Sequence, residues 1–278
     1  MSKLHNIKTI FFILLLQILF CTLSAQKLHV FKTELLPKRD SVYVFTPKNH
    51  NKSNNTYSVI YMLHGYGGNY KTWNNISSLQ EYSNKYGFII VCPDGLYDTW
   101  YIDSPVDKNI KFESYFINEL YPFINENYKT NKENIFITGL SMGGYGALHL
   151  YKNNINKFKA AGSTSALLDL APFSESFGLS LVLGKYKISK QNYIDYSIFN
   201  YLEKLKKSKY HIFIDCGLED PFYRQNLEFF DKCKKAEINI SFTYRPGDHD
   251  REYWKKSIKD HFIYFYYLSK LKNNEQFF

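Results

Sequence analysis

Three side-chain types in this chain could together carry acyl chemistry: a serine at Ser141, carboxylates at Glu219 and Asp220, and a histidine at His249. A serine hydroxyl is a weak nucleophile unless a base within hydrogen-bond reach takes its proton. The base in turn needs an acid that fixes its tautomer and stabilises its charge. Ser141 is the centre of Gly139-Leu140-Ser141-Met142-Gly143, which continues as Gly144-Tyr145-Gly146-Ala147-Leu148. Before it, Asn134-Ile135-Phe136-Ile137-Thr138 has the β-branched and aromatic make-up of a buried strand; after it comes a small-residue, helix-compatible segment. The serine is therefore expected at a strand-to-helix corner, a turn sharp enough to demand glycine on both sides. The carboxylates lie in Gly217-Leu218-Glu219-Asp220-Pro221 and the histidine in Pro246-Gly247-Asp248-His249-Asp250, each after an apolar stretch that reads as a strand. Serine, acid and histidine thus follow in chain order, as partners at the carboxyl ends of successive parallel strands would.

Of eight histidines, His5 falls in an N-terminal targeting segment, His29 and His50 precede the central strands, and His149 and His261 lie on expected helices. His211 opens a strand at the wrong end, and His64 belongs to a motif ahead of the serine. For the acid, Asp215 lies inside a strand. Glu219 and Asp220 are neighbours in an extended loop and must face opposite ways, so Asp220 is the first choice and Glu219 the second. Asp220 could instead only cap the helix that Pro221 opens. Acyl transfer further needs donors aimed at the developing oxyanion. The backbone N–H of Met142, at a helix start, is one candidate. The other is the main-chain N–H of Tyr66 in His64-Gly65-Tyr66-Gly67-Gly68, a run that would otherwise be a glycine-rich turn around a core histidine.

Strands expected at 28–34 and 41–46 form an antiparallel pair. Tyr57–Leu63 and Gly87–Cys92 are nearly continuous apolar runs, the mark of strands covered on both faces. Helices are expected at 78–85, 112–128, 223–236 and 250–271, and further strands at 158–162, 211–217 and 238–244. The alternation implies one α/β domain with a mostly parallel sheet. Residues 166–208 lose the alternation and are expected to form a cap-like insertion over the site. The block Phe262–Tyr267 is apolar nearly all round and is expected to be buried against the sheet.

Residues 1–25 carry Lys3 and Lys8, an apolar run Ile10–Cys21 and a small-residue end Leu23-Ser24-Ala25, the layout of a cleavable export signal with cleavage after Ala25. A secreted or periplasmic protein without stable membrane insertion after cleavage is expected. The formal charge of +9, or +7 without Lys3 and Lys8, comes from scattered lysines; those at 204–209 and 232–235 read as solvated helix faces, not a nucleic-acid footprint. Cys92, Cys216 and Cys233 are odd in number and lack metal-ligand spacing, so all three are read as free, mostly buried thiols. No metal cluster, dinucleotide fingerprint or phosphate loop is present in the sequence, and no cofactor is expected.

Five motifs in order, Leu63–Gly68, Asp94-Gly95 with Trp100–Pro105, Gly139–Leu148, Asp215–Asp220 and Gly247–Asp250, resemble those of the putative-esterase family of α/β-hydrolases. That family takes in esterase D or S-formylglutathione hydrolases, feruloyl and acetyl-xylan esterases, tributyrin esterases and the antigen 85 mycolyltransferases. The resemblance runs from about Leu28 to Leu271. It implies an α/β-hydrolase fold, a serine carboxylesterase activity, a nucleophile at Ser141, an acid at Asp220, a base at His249 and oxyanion donors at Tyr66 and Met142. Asp248 departs from the pattern, since relatives often have a second glycine before the histidine. Trp100, Tyr101, Asp103 and Trp254 are the substrate-pocket candidates, with Trp254 placed behind His249, and the alternative for each is core packing. An exported enzyme fits an acylated or feruloylated polysaccharide better than formylglutathione, an intracellular thioester. Transfer of the acyl group to an acceptor alcohol, and a binding protein on the same scaffold, are the alternatives, of which a complete triad disfavours the second.

Overall fold

The computed structural model describes residues 26–208 and 212–271, so residues 1–25, with their expected export signal, and His211 lie outside the described residues. The sheet consists of β1 (Gln26–Phe31), β2 (Asp40–Phe45), β3 (Tyr57–Leu63), β4 (Phe88–Pro93), β5 (Thr130–Gly139), β6 (Ala160–Thr164), β7 (Ile212–Gly217) and β8 (Ile240–Arg245). They lie in the order β1-β2-β4-β3-β5-β6-β7-β8. β2 is antiparallel to both its neighbours, and every pairing from β4 to β8 is parallel. The apolar runs are explained by two faces. Val59, Tyr61, Leu63, Ile89, Val91, Ile135 and Ile137 enter one core, while Ile60, Met62, Phe88, Ile90, Cys92 and Phe136, one residue out of step, enter the other.

Ten α-helical segments are placed among the described residues: α1 (Thr72–Ile76), α2 (Leu79–Tyr86), α3 (Phe112–Tyr115), α4 (Tyr121–Asn127), α5 (Met142–Asn153), α6 (Leu179–Leu183), α7 (Tyr186–Tyr196), α8 (Leu202–Lys206), α9 (Tyr223–Lys235) and α10 (Arg251–Lys270). α1, α2 and α10 cover one face of the sheet; α3 to α9 lie on the other. The helix expected over 112–128 is interrupted by a π-helical stretch, Phe116–Leu120, between α3 and α4. Residues 166–208 hold the short helices α6, α7 and α8 and contribute Leu167, Leu168, Leu179, Val182 and Tyr193 to the core.

Three expectations need correction. β6 spans 160–164 instead of 158–162 because Ser163 and Thr164, which look like turn residues, pair with Ile214 and Asp215 and are fully buried. The Phe262–Tyr267 block is one-sided: Phe262 and Phe265 are buried with Ile258 and Leu268, but Ile263 and Tyr267 are 42% and 58% exposed. Each buried ring or branched chain on that face contributes roughly 1.5–3 kcal/mol, which holds α10 against the sheet. A short helix, α1, was not anticipated ahead of α2. Cys92, Cys216 and Cys233 are free and buried. Among the described residues no helix is long and apolar enough to cross a membrane.

Candidate active site

β5 ends at Gly139 and α5 starts at Met142, so the chain must reverse at Leu140 and Ser141. Ser141 does this with φ 52° and ψ −118°, a conformation that costs a side-chain-bearing residue about 1–3 kcal/mol. The corner is held by three backbone bonds: Leu140 N–H to Leu63 O (3.2 Å), Ser141 N–H to Thr164 O (2.9 Å) and Gly143 N–H to Leu140 O (2.7 Å). The flanking glycines are steric necessities. A Cβ on Gly139 would lie 2.2 Å from Gly143 O, and one on Gly143 would lie 2.3 Å from Leu63 O.

Asp220 follows β7 by three residues and is 4% exposed. Its Oδ1 accepts the Phe222 N–H (2.8 Å), a local turn that fixes the carboxylate inward, and its Oδ2 lies 2.9 Å from His249 Nδ1. His249 Nε2 stands 3.0 Å from Ser141 Oγ. With Nδ1–H donating to the carboxylate, Nε2 carries the free lone pair and accepts the serine hydroxyl. Phe222 and Trp254 meet the imidazole nearly at right angles, with ring centres 5.0 and 5.1 Å away. Glu219 faces the other way, as adjacent residues of an extended loop must. Its carboxylate accepts the Gly247 N–H, and its own N–H donates to Gly247 O at 3.1 Å. Asp248 closes its turn on the His249 N–H (2.7 Å).

The loop after β3 comes against the elbow because Gly65 lacks a side chain: a Cβ there would lie 2.6 Å from Leu140 Cδ1 and 3.3 Å from Ser141 Cβ. Among the described residues, neither the Tyr66 N–H nor the Met142 N–H donates to a backbone carbonyl. Met142 opens α5, where N–H groups lack helical acceptors and the dipole favours negative charge. His64 is a core residue: its Nδ1 lies 2.7 Å from Gly65 O, and burial lowers its pKa to about 4, so the ring is neutral.

Ser141 and His249 open onto a cavity of about 320 Å³, walled by Trp100, Leu140, Leu167, Phe177, Phe222 and Trp254 and bounded by Gly65 to Gly68. Its size and apolar walls suit the small acyl part of an ester. Trp100 Nε1–H donates to Phe177 O (3.0 Å), tying the loop after β4 to the 166–208 segment. Of the pocket candidates, Trp100 and Trp254 are at the cavity; Tyr101 and Asp103 are not. Tyr101 turns into the core at φ 59° and donates its hydroxyl to His64 O (2.8 Å), fitting where Gly146 has no Cβ. The Asp103 carboxylate is taken up by the N–H and hydroxyl of Ser114. Leu167, Phe177 and Phe222 were missed. Phe222 could have been found, since it directly follows Asp220-Pro221; Phe177 sits in a stretch without periodicity, and only the neighbouring Gly178 hints at a fixed turn there.

Comparison with known proteins bears on this arrangement. The family described as putative esterase matches residues 33–265. An acetyl esterase of Caldicellulosiruptor saccharolyticus is 28% identical over 218 residues, covering 73% of this chain and 81% of that protein. An S-formylglutathione hydrolase of Arabidopsis thaliana is 25% identical over 227 residues, covering 73% and 79%. Among solved structures, a ferulic acid esterase superposes with TM-score 0.74 at 24% identity, and the fluorophosphonate-binding serine hydrolase F of Staphylococcus aureus with 0.76 at 22%; both comparisons cover 87% of this chain and 98% of the other. At those identities the structures speak for the fold, and the family match, spanning most of the sheet and all five motifs, speaks for the chemistry. The chain belongs to the putative esterase family and has the α/β-hydrolase fold, and the family match with its esterase relatives supports carboxylic ester hydrolysis.

Proposed function

We propose that the chain is an exported serine carboxylesterase that works through an acyl-Ser141 intermediate. His249 is base and then acid, Asp220 orients it, and the N–H groups of Tyr66 and Met142 receive the oxyanion. The observation that carries this reading is the unbroken line from Asp220 Oδ2 through both ring nitrogens of His249 to Ser141 Oγ, at 2.9 and 3.0 Å, ending at the mouth of an apolar cavity. In acylation Ser141 Oγ bonds to the carbonyl carbon while its proton passes to Nε2. The carbonyl oxygen takes the electron pair between the two N–H donors, each such donor being worth about 2.7–4 kcal/mol at the transition state. Collapse breaks the bond to the alcohol, which leaves with the proton from Nε2. A water molecule, deprotonated by His249, then releases the acid and restores Ser141.

The substrates proposed are short acyl or feruloyl esters of polysaccharides outside the cytoplasm. Support comes from the aromatic cavity walls, from the export-signal layout of residues 1–25, and from similarity to proteins described as an acetyl esterase and a ferulic acid esterase. The test is turnover of p-nitrophenyl acetate and a feruloyl ester, with and without acceptor alcohols, alongside fluorophosphonate labelling. Hydrolysis independent of acceptor and a single label on Ser141 are expected. A label on another residue overturns the nucleophile, and product formed only with acceptor overturns hydrolysis. N-terminal sequencing of exported protein should start at Gln26; an intact Met1 in the membrane fraction overturns the export reading.

A further inference from the structure

Beneath the site lies a second cluster of serine, aspartate and histidine, closed off from solvent. Asp215 on β7, Ser257 and His261 on α10, Thr138 on β5 and Thr164 on β6 are all at most 1% exposed. His261 Nε2 is 2.6 Å from Asp215 Oδ2, and His261 Nδ1 is 2.8 Å from Thr138 Oγ1. Ser257 Oγ is 2.9 Å from Asp215 Oδ2, and the Thr164 hydroxyl donates to Asp215 Oδ1 at 2.8 Å. The sheet makes room for the ring: a Cβ on Gly162 would lie 2.4 Å from His261 Nδ1.

Ser141, Asp220 and His249 are each joined, along the chain or by a backbone bond, to a member of this cluster. Thr138 directly precedes Gly139 of the elbow, and Thr164 O accepts the Ser141 N–H. Asp215 lies on the strand that leads to Asp220, and its carbonyl accepts the Ser165 N–H at 2.8 Å. α10, which carries Ser257 and His261, begins two residues after His249. Apolar contacts alone let packed elements slide, whereas a buried carboxylate with donors in fixed directions selects one register. We propose that Asp215 and His261 form a positioning pair, which locks β5, β6, β7 and α10 together so that Ser141, His249 and Asp220 stay within bonding reach. The inference rests on Ser141 being the nucleophile. Neither residue touches substrate; both act through the backbone that carries the reacting groups.

The test uses the full chain in four variants, His261→Gln, Asp215→Asn, Thr138→Val and Ser257→Ala, each assayed for kcat, KM, thermal unfolding and rate of fluorophosphonate labelling. Because a misplacement of about 1 Å can cost 10²-fold in rate, His261→Gln and Asp215→Asn should lower kcat by about that factor. KM should hold within about twofold while labelling of Ser141 slows in parallel. Thr138→Val and Ser257→Ala should each lower kcat several-fold. Folded variants with a lowered unfolding temperature but unchanged kcat and labelling rate would overturn the proposal, leaving the pair a structural element only. If the first two variants do not fold, the other two decide: a several-fold loss of kcat at constant KM supports positioning, and an unchanged kcat rejects it. Failure of the unmodified enzyme to label at Ser141 is a separate result, which removes the nucleophile reading and this inference with it.

Discussion

In the group at the carboxyl ends of β5, β7 and β8 the imidazole stands between serine and carboxylate; in the buried group the carboxylate stands between serine and imidazole. The order decides what each hydroxyl can do. Ser141 Oγ faces an imidazole nitrogen that can take its proton, while Ser257 donates to a carboxylate already occupied by His261 and Thr164. Surroundings widen the gap. Ser141 sits on a strained corner beside a cavity of about 320 Å³, with Tyr66 and Met142 N–H groups that donate to no backbone carbonyl among the described residues, whereas Ser257 lies inside a helix and is fully buried. The proposed roles follow from this: the same three side chains suit a reaction centre in one place and a clamp in the other, and backbone geometry makes the difference.

The largest effect expected is at the nucleophile. Ser141→Ala should lower kcat/KM by roughly 10⁴- to 10⁶-fold, with thermal unfolding unchanged because the hydroxyl supports no core packing. Ser257→Ala should cost several-fold only. Comparable losses in the two variants, or a fluorophosphonate adduct on Ser257, would erase the contrast.

Next comes the acid. Asp220→Asn keeps the shape of the hydrogen bond to His249 Nδ1 but favours the wrong tautomer, and kcat/KM should fall by about 10⁴-fold. A near-normal Asp220→Asn with a crippled Glu219→Gln would move the acid by one residue. Glu219 itself sharpens the point, because its carboxylate grips Gly247 two residues before His249. Glutamine retains an acceptor for that N–H, so Glu219→Gln should lower kcat only a few-fold. Glu219→Ala, which frees the loop, should reach about tenfold, the kinetic equivalent of one hydrogen bond of 0.5–1.5 kcal/mol.

How far such distinctions are legible in sequence follows from these residues. The elbow, the acid and base loops and most strand positions can be read from glycine spacing, runs of branched side chains and chain order, since each reports on its immediate neighbours. Asp215 and His261 can be set aside as catalytic groups because one is inside a strand and the other inside a helix. Their contact cannot be read, because 46 residues separate them and no local pattern records which helical turn meets which strand. Tyr101 and Asp103 fail for a related reason. A positive φ at Trp100 and Tyr101 turns neighbouring rings to different sides, one to the cavity and one to the core. Phe177 reaches the cavity through a positive-φ corner of its own, at 53°, which residue type does not announce.

The smallest effect on rate is expected at a third buried carboxyl, and it probes why Asp215 is so thoroughly partnered. Asp40, fully buried at the start of β2, accepts the Tyr115 hydroxyl (2.7 Å) and the Gly95 N–H (3.2 Å), against three side-chain donors around Asp215. Burial outweighs those two bonds and, with the nearby Asp94 adding to it, pushes the Asp40 pKa up to about 7 from 3.8. Below about pH 4 both folded and unfolded chains hold this proton, and the site has no pH dependence. As pH rises from there towards 7 the unfolded chain releases the proton while the folded chain keeps it, so stability falls; above 7 both are ionised and the loss is complete. Asp40→Asn removes the titration while keeping an acceptor for Gly95. The unmodified protein should therefore lose more thermal stability between pH 5 and pH 8 than Asp40→Asn does, at about 2–4 °C for each kcal/mol. Because Asp40 does not reach the cavity, kcat at a single pH should agree within about twofold. Unfolding temperatures with the same pH dependence in both proteins would show that Asp40 is compensated as fully as Asp215, and that two neutral donors suffice where the clamp beneath Ser141 uses two hydroxyls and an imidazole.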